Sequence, residues 1–386
     1  MRARNPLAAR LHGFGTTIFA EMSSLAAATD SVNLGQGFPD TDGPASLLED
    51  AVAAIRSGQN QYPPGPGIVA LRTAIAEHQR RFYDIDLDVD TEVLVTTGAT
   101  EAIAAALLGM CEPGDEVVTF EPYYDSYVAS IAMAGGTRRV VGLRAPDFAL
   151  DLDALSAAIT PKTRMLLLNT PHNPTGKVFT AEELDAVAAL CIENDVLVVA
   201  DEVYEHQTFG VPHVPVATRE GMAERTLTIS SAGKTFSVTG WKIGWVTGPA
   251  DLVAATRTAK QFLTFVSGAP FQPAVAAALA LGDDFYAGLA TALEAKRDRL
   301  VAGLRDAGFV AFPPDGTYFV VVDASPLGGD DALAFCRALP HRAGVVGVPV
   351  SVFCDTEDVG RGLVRFAFCK RDDVLDEAVR RLGCLG

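Results

Sequence analysis

The 386-residue chain has no Cys-x-x-Cys pair and no His-Glu-x-x-His; its six cysteines, at positions 111, 191, 336, 354, 369 and 384, and its six histidines are dispersed. No spacing matches a zinc site, so no metal centre is expected. Scattered cysteines in mostly apolar surroundings read as reduced core thiols. Positive charge is scarce. Lys and Arg number 31 against 48 Asp and Glu, a formal net charge of −17, which opposes the basic face that nucleic-acid binding needs. Long apolar runs are missing as well, and no stretch approaches the roughly 20 residues of a membrane span. The start Met1-Arg-Ala-Arg-Asn-Pro6 is basic, but Gly13, Gly15, Thr16, Thr17 and Glu21 break the run that would follow in a signal peptide. These absences leave a soluble, cytoplasmic enzyme as the expectation.

The chain is long enough for two domains, and with 49% apolar residues it can bury a large core. Ile68, Leu71, Ile75 and Phe82 sit at helical spacing after Pro63-Pro-Gly-Pro-Gly67. Short apolar strands are expected at 92–97, 117–120, 165–169, 196–200, 226–230 and 243–247. Between the third and fourth of these, Thr180 and Glu183 form a capping-box pattern ahead of Leu184, Val187 and Cys191. Continuous apolar strands separated by helices predict an α/β, mostly parallel sheet covered by helices. From about residue 280 a long charged helix and two strands, 318–322 and 364–368, predict a smaller α+β C-terminal domain. The expected division is an N-terminal arm (1–40) packing with the small domain, a large domain (41–280) and the small domain (281–386).

The polar residues that stand out fall at predicted strand ends, where a parallel α/β sheet binds ligands. Gly98-Ala99-Thr100 ends a strand and opens a helix, offering backbone N–H groups to an anion, although an ordinary tight turn reads the same way. Asn169-Thr-Pro-His-Asn-Pro-Thr-Gly176 holds amide side chains between prolines, or is simply a rigid turn. Asp201 ends a run of buried aliphatics, where a carboxylate needs a cation or donors; a protonated heterocycle nitrogen, a salt bridge or a helix cap would each serve. In Ser230-Ser-Ala-Gly-Lys234, a lysine at the base of a cleft becomes a nucleophile if it is desolvated or set near another cation such as Lys242. Each motif alone is weak. Together they supply an anion cradle, a buried acid, an amide and phenol pair and a lysine, the parts of a pyridoxal phosphate site.

In Asn33-Leu-Gly-Gln-Gly-Phe-Pro39, Gln61-Tyr-Pro-Pro-Gly-Pro-Gly67, His172-Asn-Pro-Thr-Gly176, Asp201-Glu-Val-Tyr204 and the Lys234 segment, in that order, the chain resembles the class I aminotransferases of pyridoxal phosphate fold type I. The resemblance implies that Lys234 is the Schiff-base lysine and proton carrier, and that Asp201 pairs with the ring nitrogen. Asn173 and Tyr204 would bind the ring's phenolic oxygen and Tyr124 would stack on the ring. Ala99, Thr100, Ser231 and Lys242 would hold the phosphate, with Tyr62 reaching the phosphate of a neighbouring subunit in a homodimer with shared sites. Arg365 would clamp the substrate α-carboxylate with its planar fork, Gly37 would meet that carboxylate through its backbone, and Asn173 and Phe19 would also line the substrate side. Lys242 stands where the aspartate-type branch often has arginine. With Glu121-Pro-Tyr-Tyr-Asp-Ser-Tyr127 it favours the kynurenine and glutamine aminotransferase branch. Tyr62–Gly67, Gly268–Val275 and Cys369–Ala378 resemble N-succinyldiaminopimelate aminotransferases, an activity of lysine biosynthesis with 2-oxoglutarate as the implied partner. Broad-specificity kynurenine, methionine or glutamine transamination and carbon–sulfur β-elimination use the same fold and lysine. Of the aromatic candidates for lining a side-chain pocket, Phe19, Tyr124, Tyr318 and a neighbour's Phe265, only Tyr124 clearly outweighs core packing. A ligand-sensing regulator lacks room for a DNA-binding module before the matching region, and a degenerate scaffold would not keep every catalytic position filled.

Overall fold

In the computed structural model, residues 6–385 are described; the basic stretch Met1–Asn5 lies outside them. The largest sheet among the described residues has seven strands. Their order is Val93–Thr96, Gly244–Thr247, Thr226–Ser231, Leu197–Asp201, Thr163–Asn169, Glu116–Glu121 and Thr137–Gly142. Gly244–Thr247 runs antiparallel to both neighbours, and the other pairs are parallel. The strands Val93–Thr96, Thr226–Ser231 and Gly244–Thr247 are buried throughout, as strands covered on both faces must be. Helices flank the sheet, and the pair Gly98–Met110 and Ala250–Lys260 packs together against it.

The expected strands are all present, each within two residues of its predicted limits. Thr137–Gly142 was not expected. It is a half-exposed edge strand carrying Arg138 and Arg139 and lacks the apolar run used as the signal. The helix Ala181–Glu193 starts with the anticipated capping box: the Thr180 hydroxyl accepts from the Glu183 N–H, and the Glu183 carboxylate accepts from the Thr180 N–H. Leu184, Val187 and Cys191 are buried beneath it.

A second sheet, antiparallel, orders Val348–Pro349, Leu363–Ala367, Phe319–Asp323 and Val310–Phe312. The helix Asp283–Asp306 leads into it. The short strand Val32–Asn33 pairs with Val345–Val346, and the helix Ile18–Thr29 contacts the helix Ala332–Ala343, so the N-terminal segment is built onto C-terminal elements. The following loop continues this attachment. Leu34, Gly35, Gly37 and Phe38 give their carbonyls to the Ala367 N–H, Arg365, Tyr318 and Lys370 respectively. From the other side, the turn before Phe319 is tied to the large sheet's loops, with Asp315 and Gly316 donating to the Gly176 carbonyl and Thr317 to that of Gln207.

The capping box gives a direct check on the local reading. Thr180→Ala should destabilise the protein by about 1 kcal/mol, visible as a lower urea midpoint at an unchanged slope.

Candidate active site

Strand ends of the large sheet face the antiparallel sheet across one open cavity of about 240 Å³. Phe19, Gly37, Ala99, Thr100, Tyr124, Asn173, Asp201, Tyr204, Ser231, Lys234, Lys242 and Arg365 all line it. Tyr62 does not. It is 83% exposed and rests edge-on against Phe265, with ring centroids 5.7 Å apart.

Parallel register sets the acidic end of the cleft. Asn169 pairs with Asp201, and Asp201 with Ile229, so both polar residues emerge together. The Asn169 amide donates to the Asp201 carbonyl and its oxygen accepts from the Asn173 N–H, fixing the turn that carries Asn173. Asp201 is buried and its carboxylate accepts from the Tyr127 hydroxyl at 2.5 Å. Burial pushes its pKa up to about 6 against the opposing pull of Tyr127, the Val203 N–H and Lys234. A carboxylate held this way is stabilised by a cation placed beside it.

Lys234 lies in the single turn Ala232–Thr235 that follows Thr226–Ser231. Its carbonyl accepts from the Gln207 amide at 2.8 Å, and its Nζ donates to the Tyr318 hydroxyl at 2.8 Å. Burial lowers its pKa to about 8. Arg365 and Lys242 push the same way, while Cys369 and Asp201 oppose. An amine in this range is available as a base near neutral pH.

The anion cradle forms where the helix Gly98–Met110 begins. Gly98 has φ +73°, and a Cβ there would lie 3.2 Å from the Lys242 Nζ; a Cβ on Gly244 would meet the Gly98 carbonyl carbon at 2.6 Å. Only glycine permits this close meeting of helix start, strand and lysine. The first helical N–H groups lack helical partners, and Thr100, Ser231 and Lys242 surround the same place.

At the opposite wall Arg365 sits mid-strand, donating to Asn173 Oδ1 at 3.0 Å and to the Gly35 carbonyl at 2.9 Å. Its guanidinium lies 4.0 Å from the Phe319 ring centre, and burial lowers its pKa to about 10. Its Nε is buried with no partner. A buried charged donor left unpaired is costly, and a carboxylate would satisfy it.

The donor set thus fits pyridoxal phosphate: a cradle for its phosphate, a buried acid for its ring nitrogen, and a desolvated lysine between them. Three contributors escaped the sequence reading. Tyr127 belongs to the quoted Glu121–Tyr127 string but received no role; its position in the first turns of a helix after a strand end was the available signal. Asn169 and Gln207 act through backbone groups, which leaves no mark in sequence. Behind the cleft floor, and likewise unforeseen, His78, Glu205 and His206 bring potential metal ligands within 4.8 Å of one another. The two imidazoles contact each other at 2.7 Å, and Glu205 accepts from Ser230 and Tyr83. Each group therefore already has a protein partner.

Comparison with known proteins agrees with this geometry. The family model "Aminotransferase class I and II" matches residues 29–382. The probable N-succinyldiaminopimelate aminotransferase DapC of Mycobacterium tuberculosis is 56% identical, over 97% of this chain and 98% of the relative. The methionine aminotransferase of Escherichia coli is 39% identical, over 98% of each. The solved N-succinyldiaminopimelate aminotransferase from M. tuberculosis superposes with a TM-score of 0.96, covering 98% of this chain and 100% of that one, at 56% identity. An aspartate aminotransferase from Thermus thermophilus, 31% identical, does so at 0.90 over 99% and 100%.

The raised pKa of Asp201 yields a signed prediction. Its folded value, about 6, lies above the ordinary 3.8, so the folded state gains from protonation and the group's contribution falls as pH rises from about 4 to 6. Above that range the ionised carboxylate costs the cofactor-free protein roughly 3 kcal/mol. Asp201→Asn should therefore melt higher than wild type at pH 7 without cofactor, an advantage that vanishes by pH 4, while binding pyridoxal phosphate more weakly. Thermal melts and a cofactor titration read both effects.

Proposed function

Because the chain belongs to the class I and II aminotransferases, and is a pyridoxal phosphate-dependent transaminase of fold type I, we propose that its amino donor is N-succinyldiaminopimelate and its acceptor partner 2-oxoglutarate, a step of lysine biosynthesis. The 56% identity to the M. tuberculosis relative across nearly its whole length carries this reading. The methionine aminotransferase of E. coli and the kynurenine–oxoglutarate transaminase 3 of mouse, at 39% and 38% identity, support a broader amino-acid range as the second reading.

The residue roles in this proposal follow from the cleft. Arg365 takes the substrate α-carboxylate through its unpaired Nε and its fork, with the Gly37 backbone alongside. Phe19 and Asn173 close the substrate side. Pyridoxal phosphate, when bound, supplies an electron sink for the pair released as the substrate Cα–H bond breaks. Lys234 Nζ takes the proton from Cα and returns it in the later step, as general base and then acid. Asp201, aligned by Tyr127, would stand ionised beside the ring nitrogen. Asn173 and Tyr204 would hydrogen-bond the ring oxygen, Tyr124 would cover the ring face, and Ala99, Thr100, Ser231 and Lys242 would hold the phosphate. Lysine at 242 binds that phosphate as a point charge rather than a bidentate fork.

The proposal extends to the assembly. Tyr62 and Phe262, each 83% exposed, and Phe265 at 53% form a surface that a second copy would cover. A homodimer in which Tyr62 reaches the neighbour's phosphate accounts for its distance from its own cleft. The division we propose is an arm, 1–40, packing with a small domain, 281–386, beside a large domain, 41–280. A cytoplasmic setting is in keeping with cysteines that are unpaired among the described residues.

Lys234→Ala should lose the visible absorbance of lysine-bound cofactor and nearly all turnover; full activity in this variant overturns the mechanism. A panel of N-succinyldiaminopimelate, kynurenine, methionine and glutamine as donors should rank the first highest by kcat/KM. Pyruvate and free thiol formed from cystathionine without an acceptor would instead mark β-elimination. Sedimentation should give a dimer mass that Tyr62→Asp with Phe265→Asp lowers.

A further inference from the structure

Tyr318 is 1% exposed, and its hydroxyl sits where the two sheets meet at the reacting lysine. It carries one proton and two lone pairs. The Gly37 carbonyl, 2.5 Å away, can only accept, so the proton is committed there. Toward Lys234, at 2.8 Å, the same oxygen must therefore accept. The hydroxyl thus donates to Gly37 and accepts from Lys234, polarised in one direction.

We propose that Tyr318 is a catalytic residue of the transamination: an obligate acceptor that holds one N–H of the free Lys234 amine and leaves the amine's lone pair pointing into the cleft. A hydroxyl free to donate would occupy that lone pair and quench the base. The Gly37 carbonyl prevents this by taking the only proton. Gly37 is itself pinned, since a Cβ there would lie 2.5 Å from the Phe319 ring. The ring of Tyr318 cannot retreat either. It stands edge-on to Tyr204 with centroids 5.3 Å apart, and its backbone follows Thr317, whose N–H is bonded to Gln207, the residue whose amide holds the Lys234 carbonyl. Both ends of the lysine are thus referenced to one frame. Because Gly37 also borders the substrate side, the aim of the base is registered to the segment that meets the substrate.

This inference rests on Lys234 being the cofactor-bearing base, and the test separates the two claims. Cofactor-free protein is labelled with glyoxylate and cyanoborohydride across pH, and modification of Lys234 is read by peptide mass. Wild type should reach half-maximal labelling near pH 8. Tyr318→Phe keeps the ring and removes the acceptor, so the buried ammonium loses a partner and the inflection should fall by roughly half a pH unit or more. In the loaded enzyme the donor half-reaction should slow roughly tenfold with KM little changed. Tyr318→His, which retains an acceptor nitrogen, should bring the inflection back toward wild type. An inflection unmoved or raised in Tyr318→Phe overturns the proposal. Should that variant not fold, a fall in Tyr318→His does so instead. A Lys234 that glyoxylate does not label in wild type, or that is dispensable for turnover, overturns the mechanistic reading of Lys234 rather than this inference alone.

Discussion

Desolvation of charge in one cleft is the constraint from which the rest of the structure follows. Asp201, Lys234 and Arg365 all have their pKa values displaced by burial, each in the direction that opposes its charge. None forms a salt bridge with another within 4 Å among the described residues. Such groups are costly to hold, and on the proposed reading a ring cation beside Asp201 and a carboxylate on Arg365 would offset that cost. The cofactor-free cleft is a stored demand for them.

Holding charges apart in a buried space needs a rigid surround, which the two sheets provide from opposite sides. Parallel register brings Asn169 and Asp201 together, while antiparallel register sets Arg365 opposite Val321 and Val348. Many polar contacts join the sides, among them the Glu121 carboxylate accepting from the Asp355 and Thr356 N–H groups, and three lie at the cleft. Arg365 bonds Asn173, Tyr318 meets Lys234, and the turn before Phe319 is tied to Gly176 and Gln207. Two of these junctions pass through residues that touch the reacting groups, so the relative placement of the sheets and the geometry of catalysis are the same variable.

Much of this was legible in sequence because the chemistry sits at strand ends. A buried strand announces itself by a run of aliphatics, and the polar residue that ends the run, Asp201 after Val198-Val-Ala200, is conspicuous for that reason. Gly98 and Lys234 were visible through the small residues around them, and the ordered motifs of the family supplied the roles. What stayed hidden has a common physical character. Tyr127 closes the conspicuous Glu121–Tyr127 string, but its partner Asp201 lies 74 residues further along. Asn169 and Gln207 work through backbone atoms. The edge strand Thr137–Gly142 has charged residues where an apolar run was sought. In each case the function depends on a partner distant in sequence, and a linear pattern does not carry the partner's position.

The loop from Leu34 to Phe38 shows how far this indirectness goes. Gly37 reads as substrate-facing backbone, and it does border the cleft. Yet the loop's carbonyls are taken by the Ala367 N–H, Arg365, Tyr318 and Lys370, all of them C-terminal. A displacement of the N-terminal segment would therefore alter the hydrogen bonding of Arg365, the proposed carboxylate clamp, and of the tyrosine that bonds Lys234. On the proposed reading this segment borders the substrate while Lys234 lies at the base of the cleft, so side-chain selectivity and the aim of the base would be linked through it. Phe19, packed on Phe353 at the rim, belongs to the same attachment: its carbonyl accepts from the Gln36 amide, within the loop whose carbonyls hold Arg365 and Tyr318.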